Sequence, residues 1–540
     1  MQVARYPVIL LLSALVLSCV TGCGTSITTT APVKSSPPPP SVASSLDLLV
    51  YGATPAGIAA AVEAGKLGKK VVILEPTNHI GGMMSNGLGA SDTYGLNALG
   101  GIPSSFFQQV YQFYNYDAGS VQGTLFQPHV AEAVFSQMLE QYSNIWIILN
   151  VDIASVGMSG GQIEQINGTD GVSYSAKMFV DASYTGDLMA SAHVSYTIGR
   201  EARSQYNEAH AGVGSAAPIA HSTVDPYVTP GNPSSGYIPH VAPSIAGALG
   251  SADNTVMAYT YRLCITNKGG NVIPFTAPAG YSPSEFELLA RIAQSSNPPT
   301  VLQNYFVLTS LPNNTIDMNS ALIMSTDEIG ANVGYADGSP ALRKQIEAEH
   351  KRYIQALLYF EMTDPRMPAA LRNAMATLGY CKNEFTDNGG WPNQIYVREA
   401  RRMIGSSVFT SNDISDSNRT SDPIGVGGYK IDDHPHQQAA DKGNVSYEKD
   451  GDFAVSNYLI SYKVLVPKST EATNLFVPVC VSASHVAYAS LRMESTYMIM
   501  GQAAGAAASI AIDKGVNVQA VDYPTLKAQL LADGVVLATP

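Results

Sequence analysis

Residues 47–82 read DLLVYGATPAGIAAAVEAGKLGKKVVILEPTNHIGG. The apolar run LLVYG predicts a buried strand. Gly52, Thr54 and Gly57 hold the three places of a G-x-G-x-x-G turn, with Pro55 and Ala56 completing the loop. An Ala-rich amphipathic segment predicts a helix, and a second apolar run, VVIL, ends in Glu75. This is a strand–turn–helix–strand unit with an acid where a ribose would sit, and it predicts a bound dinucleotide and redox chemistry. Gly52 allows the tight turn, and Gly57 lets the helix pack closely on the sheet. The helix N-terminus offers unpaired N–H groups and a partial positive charge to a pyrophosphate. Glu75 suits a ribose 2′-OH, which argues against a 2′-phosphate. Thr54 departs from the pattern, because glycine there lets the backbone approach the phosphates. Threonine is small, and its hydroxyl can itself donate. A Gly-rich turn alone occurs in any α/β protein; the signal lies in the whole unit with its acid.

After Glu75 comes PTNHIGGMMSNG. The pair Gly81–Gly82 resembles the GG extension of FAD-binding two-dinucleotide-fold flavoproteins, which NAD-only dehydrogenases usually lack. FAD is therefore the expected cofactor. No second Gly-rich turn with a clear NAD signature appears, so no tight NAD(P)H site is expected.

The 540 residues suffice for two or three domains, or for one discontinuous domain with a large insert. The net charge of −13 argues against a nucleic-acid partner. At the N-terminus Arg5 is the only early charge, and an apolar run covers residues 8–20. The run is short of the ~20 residues a membrane span needs. Val20-Thr21-Gly22-Cys23 resembles a bacterial lipobox, with Cys19 a poorer second candidate. Cleavage before Cys23 and its lipidation would anchor the chain to the cell-envelope membrane, in the periplasm or at the cell surface. Residues 24–46, rich in Ser, Thr and Pro, read as a disordered tether. A single Arg5 is not the twin-arginine signal usual for proteins exported with FAD already loaded, so export and cofactor loading stand in tension. With Cys23 lipidated, Cys264, Cys381 and Cys480 remain, enough for one disulfide. Cys480 sits in an apolar run and reads as a small core residue.

The expected fold is α/β: a Rossmann-like FAD-binding domain assembled from both chain ends, with an inserted α+β substrate or cap domain. Its divisions are a signal segment and lipobox (1–23), the tether (24–46), an N-terminal FAD-binding segment (47–199), the cap (200–457), a C-terminal FAD-binding segment (458–515) and a last helix (516–540). Helices are expected near residues 104–116, 130–142, 340–362 and from 494 onward. Gly501 and Gly505 lie in the helix that starts near 494, where small residues suit either close helix packing or a cofactor. A strand is expected at FVPVCV, and a helix at REARR (398–402).

The segments VYGATPAGIAAA, FQPHVAEAVF, FVDASYTGDLMASA, YTIGREARSQYNEAHAG, EFTDNGGWPNQIYVREARRMIG, GVGGYKIDDH and VPVCVSASHVAYASLRMESTYMIMGQAAGAAA span nearly all of the mature chain. Together they resemble the bacterial FAD-dependent oxidoreductase family of the glutathione-reductase-like superfamily, some of whose members carry the label xanthan lyase. The resemblance implies FAD and the superfamily fold; it supplies no substrate.

Flavin oxidation of an alcohol or amine needs a base for the X–H proton and a positive charge near the flavin N1/C2=O edge. His485, in SASHVAYAS, is the leading base, because the superfamily places such a loop beside the isoalloxazine. Arg492 and Glu494, in RMES, pair with each other, or Arg492 faces the flavin or a substrate carboxylate. His434 and His436 flank a proline beside Asp432 and Asp433. A metal is not expected there, and His434 is read as substrate-side. One or two of Arg398, Arg401 and Arg402 reach a substrate acid group or phosphate. Asp187 is assigned to the cofactor region, with a helix cap as the alternative. His129 is read as structural, and Trp391 as core packing or a sugar-stacking platform.

The function expected is oxidation of a small polar metabolite, a sugar or hydroxy acid, by hydride transfer to flavin N5, with an unidentified electron acceptor. The alternatives are a cell-surface glycan- or ligand-binding lipoprotein without turnover and, last, a polysaccharide lyase.

Overall fold

The computed structural model describes residues 46–540 except 94, 220–222, 296–297 and 322–323. The expected signal segment, Cys23 and the tether up to residue 45 lie outside the described residues. Among the described residues, no helix is long and apolar enough to cross a membrane.

β1 (Leu46–Tyr51), α1 (Pro55–Lys66) and β2 (Val71–Glu75) form the expected unit. Both strands are buried, as continuous apolar runs in a parallel sheet must be. Next come α2 (Gly82–Asn86), α3 (Gly101–Phe113), α4 (Pro128–Glu140) and β3 (Ile145–Leu149). A hairpin follows, β4 (Ile153–Ser159) and β5 (Gln162–Gly168), and then β6 (Ser173–Asp181). The sheet order is β3-β2-β1-β6-β5-β4. β1 is parallel to both β2 and β6, whereas β4 and β5 pair antiparallel at the edge. β6 leads into the short helix α5 (Asp187–Ser191).

Residues 200–457 supply a second sheet. Its strands are β7 (Leu263–Thr266), β8 (Val272–Pro274), β9 (Phe306–Leu311), β10 (Thr315–Ser320) and, after the long helix α6 (Pro340–Thr363), β11 (Gly379–Cys381). They run antiparallel in the order β8-β11-β7-β10-β9. A disulfide between Cys264 and Cys381 joins neighbouring strands of this sheet, and Cys480 is buried and free.

The C-terminal region returns to the first sheet. β12 (Leu475–Phe476) adds to β6 in parallel. α7 (His485–Leu491), α8 (Glu494–Lys514) and α9 (Tyr523–Ala532) follow. α8 lies directly on α1: an ideal Cβ on Gly501 would fall 2.1 Å from Ala56 O, and one on Gly505 2.3 Å from Ala60 O. Helix packing therefore accounts for both glycines.

Two local expectations are corrected. Residues 398–401 are not helical, and only Arg402–Met403 enters a strand. Arg398 reaches Asp327, Arg401 reaches Asp187 and Asp337, and Glu399 and Arg402 pair with each other and with His485 and Glu201, and one helix face cannot serve them all. The run FVPVCV contributes only Phe476 to a strand, since Val477–Val481 leave the ladder for the loop before α7.

Candidate active site

The β1 turn is closed by local bonds. Gly52 has φ +96°, and a Cβ on Gly57 would fall 2.0 Å from Gly52 O, so the close approach excludes any side chain there. Thr54 caps α1: its Oγ accepts from Gly57 N at 3.2 Å and donates to Ala182 O at 2.8 Å. The hydroxyl is thus spent inside the fold rather than offered to a phosphate. Pro55 and Ala56 open α1. Gly81 N donates to Ala53 O at 2.7 Å, which draws the Gly81–Gly82 segment against the turn. Glu75 Oε2 accepts from Ala53 N (2.7 Å), while Oε1 accepts from Thr77 N and Oγ (2.9 and 2.7 Å). Burial pushes the Glu75 carboxyl up against these bonds. A carboxylate has about four lone-pair sites, so Oε2 keeps room for one more donor.

These features fit FAD. The glycines cannot carry side chains, the N-terminus of α1 faces the turn, and Glu75 retains acceptor capacity for a ribose hydroxyl. Ser85 Oγ and Asn86 Oδ1, on α2 next to the turn, are buried with no hydrogen-bond partner among the described residues. Tyr184 bridges the turn to α8: its hydroxyl accepts from Met83 N (3.0 Å) and donates to Glu494 (2.7 Å). Burial pushes the Glu494 carboxyl up to about 8, against the Tyr184 hydrogen bond. Glu494 therefore does not pair with Arg492.

A cavity of about 550 Å³ opens between β9, β10 and the segment 396–435. Arg262, Tyr396, Arg398, Tyr429, His434 and Arg492 are among its walls. His434 Nδ1 lies 2.8 Å from Asp327 Oδ2, and Nε2 lies 3.5 Å from Asp432. Arg398 pairs with Asp327 at 2.9 Å, donates to Ala258 O and stacks on Tyr396 with Cζ 5.1 Å from the ring centroid. Arg492, at the C-terminal end of α7, donates to Tyr396 Oη (3.1 Å) and to Asp432 Oδ2 (2.9 Å). The sequence singled out His434, Arg398 and Arg492, and the structure brings them to one cavity. It missed Asp327 and Arg262, which stand in no quoted segment, and Tyr396, which lies in one but was not singled out.

His485 is placed otherwise than expected. It is 2 % exposed and is not among the residues lining the cavity. Nδ1 lies 2.9 Å from Glu399 Oε2, and Nε2 lies 3.4 Å from Asp433 Oδ1. Burial alone would lower its pKa; the Glu399 charge and the Asp433 hydrogen bond overcome that and raise it to about 10. The two carboxylates favour the imidazolium form of His485, which argues against its assignment as the base. It anchors a buried network in which Arg402 joins Glu399 to Glu201, and Glu201 accepts from His485 N. His436 pairs with Asp433 at 2.9 Å and with Thr255 at 3.1 Å. Ligand atoms of Asp433, His436 and His485 lie within 4.8 Å of one another, a span one cation could bridge, but each is already hydrogen-bonded within the fold.

The remaining candidates are structural in this geometry. Asp187 is clasped by Arg343 of α6 (2.7 and 2.8 Å) and by Arg401 (2.7 Å). Burial pushes its carboxyl up, but Arg343, then the Thr185 hydroxyl and Arg401, bring it down to about 2. It ties the first sheet to the cap. His129 sits against buried Glu384. Trp391 is buried between Tyr261 and Tyr380, so it offers no sugar-stacking platform.

The model of the family described as FAD dependent oxidoreductase matches residues 47–530. The chain belongs to this family: it is an FAD-dependent oxidoreductase, and FAD is its cofactor. No curated protein sequence matches it. Among solved structures, the chain is similar to Thermovibrio ammonificans THI4, at 16 % identity over 30 % of this chain and 68 % of that one, with a TM-score of 0.23. It is also similar to a flavin monooxygenase from Stenotrophomonas maltophilia, at 18 % identity over 25 % and 38 % with a TM-score of 0.20. A third is T. acidophilum thioredoxin reductase, at 20 % identity over 25 % and 34 % with a TM-score of 0.17. The chain thus spans well under half the length of the latter two.

Proposed function

We propose that this enzyme oxidises a small polar metabolite, a sugar or a hydroxy acid, in the cavity beside His434. The observation that carries this reading is the cavity: it is large enough for a small metabolite and is walled by buried charged side chains around His434. FAD, when bound at the β1 turn, supplies the hydride acceptor at N5. The chain's own role is proton transfer and orientation. Asp327 holds His434 through Nδ1 at 2.8 Å, and Nε2, which has only the longer 3.5 Å approach to Asp432, is the atom assigned to take the hydroxyl proton. Tyr396 and Tyr429 belong to the same wall.

Anaerobic mixing of the FAD-loaded protein with sugars and hydroxy acids tests this. Bleaching of the flavin bands by one of them is expected, and His434→Gln should slow it roughly 10²- to 10⁴-fold while the oxidised bands remain. Full-rate bleaching in that variant contradicts the role of His434; no bleaching by either class contradicts the reading. The envelope location expected from residues 1–23 belongs to the same proposal. The Cys264–Cys381 disulfide supports it, since such bonds persist in oxidising compartments.

A further inference from the structure

Arginine presents five N–H donors, and the Nε and Nη2 edge forms a planar fork that matches the two oxygens of a carboxylate. This molecule uses that edge repeatedly. Arg262 grips Asp317 through Nε and Nη2 at 3.0 and 2.6 Å. Arg200 grips Asp253 through the same two atoms, also at 3.0 and 2.6 Å. Arg398 is the exception. Its Nη1 is occupied by Ala258 O and Asp327, but Nε and Nη2 have no hydrogen-bond partner among the described residues. The residue is 1 % exposed and lines the cavity. Nε of Arg492, which shares Tyr396 with Arg398, is likewise buried without a partner among the described residues. Buried donors of this kind are costly unless something accepts from them.

We infer that the cavity's substrate is an organic acid, and that its carboxylate docks on the Nε/Nη2 fork of Arg398 with Arg492 Nε beside it. This rests on the function proposed above and narrows it from sugar or hydroxy acid to hydroxy acid. The discrimination is directional rather than a matter of net field, because five aspartates and five arginine or lysine side chains line the cavity together. The pKa of Arg398 points the same way. Burial lowers it, Asp327 pushes it back up, and the nearby charge of Arg492 lowers it again, so an incoming anion relieves a poorly compensated cation.

Gluconate and glucose share one carbon skeleton and differ in the carboxylate, so they form the test. Each is titrated into the FAD-loaded protein without oxygen, and both affinity and flavin bleaching are recorded. Gluconate should bind at least 10-fold more tightly than glucose. Arg398→Gln should weaken gluconate binding about 10- to 100-fold, the scale of a charge-assisted bidentate contact. Arg398→Lys, which keeps the charge and loses the fork, should recover only a fraction of this. The loss should appear in KM more than in kcat, which separates substrate docking from general disruption. The wild-type comparison needs no variant to fold. If glucose binds as well as gluconate, or neither binds, or Arg398→Gln binds gluconate normally, the inference is overturned. Gluconate that binds through Arg398 but never bleaches the flavin keeps the docking site and overturns the oxidation reading. Glucose that bleaches where gluconate does not does the reverse.

Discussion

At the β1 turn, recognition is the work of the backbone. Gly52, Gly57 and the N-terminus of α1 shape it, within a few consecutive residues, and Glu75 follows on the next strand. Around the proposed substrate cavity the side chains arrive from distant segments: Arg262 before β7, Asp327 after β10, Arg398 in a stretch outside helix and strand, and Arg492 at the end of α7. The turn fails through steric clash, whereas the cavity fails through lost charge partners. The two regions should therefore break separately and be read by different signals.

Gly57→Val carries the largest expected effect. Its Cβ would meet Gly52 O at 2.0 Å, and backbone cannot move aside there. Loss of FAD retention together with a drop of about 3 kcal/mol or more in stability is expected. A variant that folds and stays yellow would contradict the account of the turn.

His485→Gln comes next. It removes the cation shared by buried Glu399 and Asp433, which keep only Arg402 and His436, at a cost of about 3 kcal/mol. The pH dependence has a definite sign. The folded pKa of about 10 lies above the ordinary 6.5, so the stabilisation is full below 6.5 and fades as pH rises through about 10. Wild-type melting temperature should fall across that window, and the variant should lack this slope. A parallel slope in both proteins would show that His485 is not the anchor.

Reducing the Cys264–Cys381 disulfide removes a cross-link spanning 117 residues, which implies about 2–4 kcal/mol. Because the bond lies in the second sheet, FAD absorbance should persist while the melting temperature drops. Flavin loss on reduction would couple the regions more tightly than the geometry does. The smallest effect is expected of Thr54→Ala, about 1 kcal/mol from the lost helix cap. Its FAD affinity should be unchanged, because the hydroxyl is bonded to Ala182 O. A 10-fold weaker affinity would mean that Thr54 touches the cofactor after all.

The same contrast governs what the sequence reveals. The β1–α1–β2 unit is legible because apolar runs, glycine spacing and Glu75 are local signals. The helices at α3, α4, α6 and α8 are legible for the same reason, to within a few residues. The cavity is only partly legible. His434, Arg398 and Arg492 stand out as titratable groups in unusual surroundings, but no periodicity reveals that Asp327 lies between two of them. The surroundings of His485 are not legible, because its two carboxylates, Glu399 and Asp433, stand far from it in sequence. REARR has helical composition, but tertiary ion pairs outweigh its local propensity. Of Cys264, Cys381 and Cys480, only the strand register selects the bonded pair.

The visible absorption spectrum of the purified chain supplied with FAD, recorded for wild type and for Gly57→Val, tests the central claim most directly. The account predicts the paired bands of bound oxidised flavin in the wild type and their loss in the variant. A colourless wild-type protein that fails to take up added FAD would contradict it.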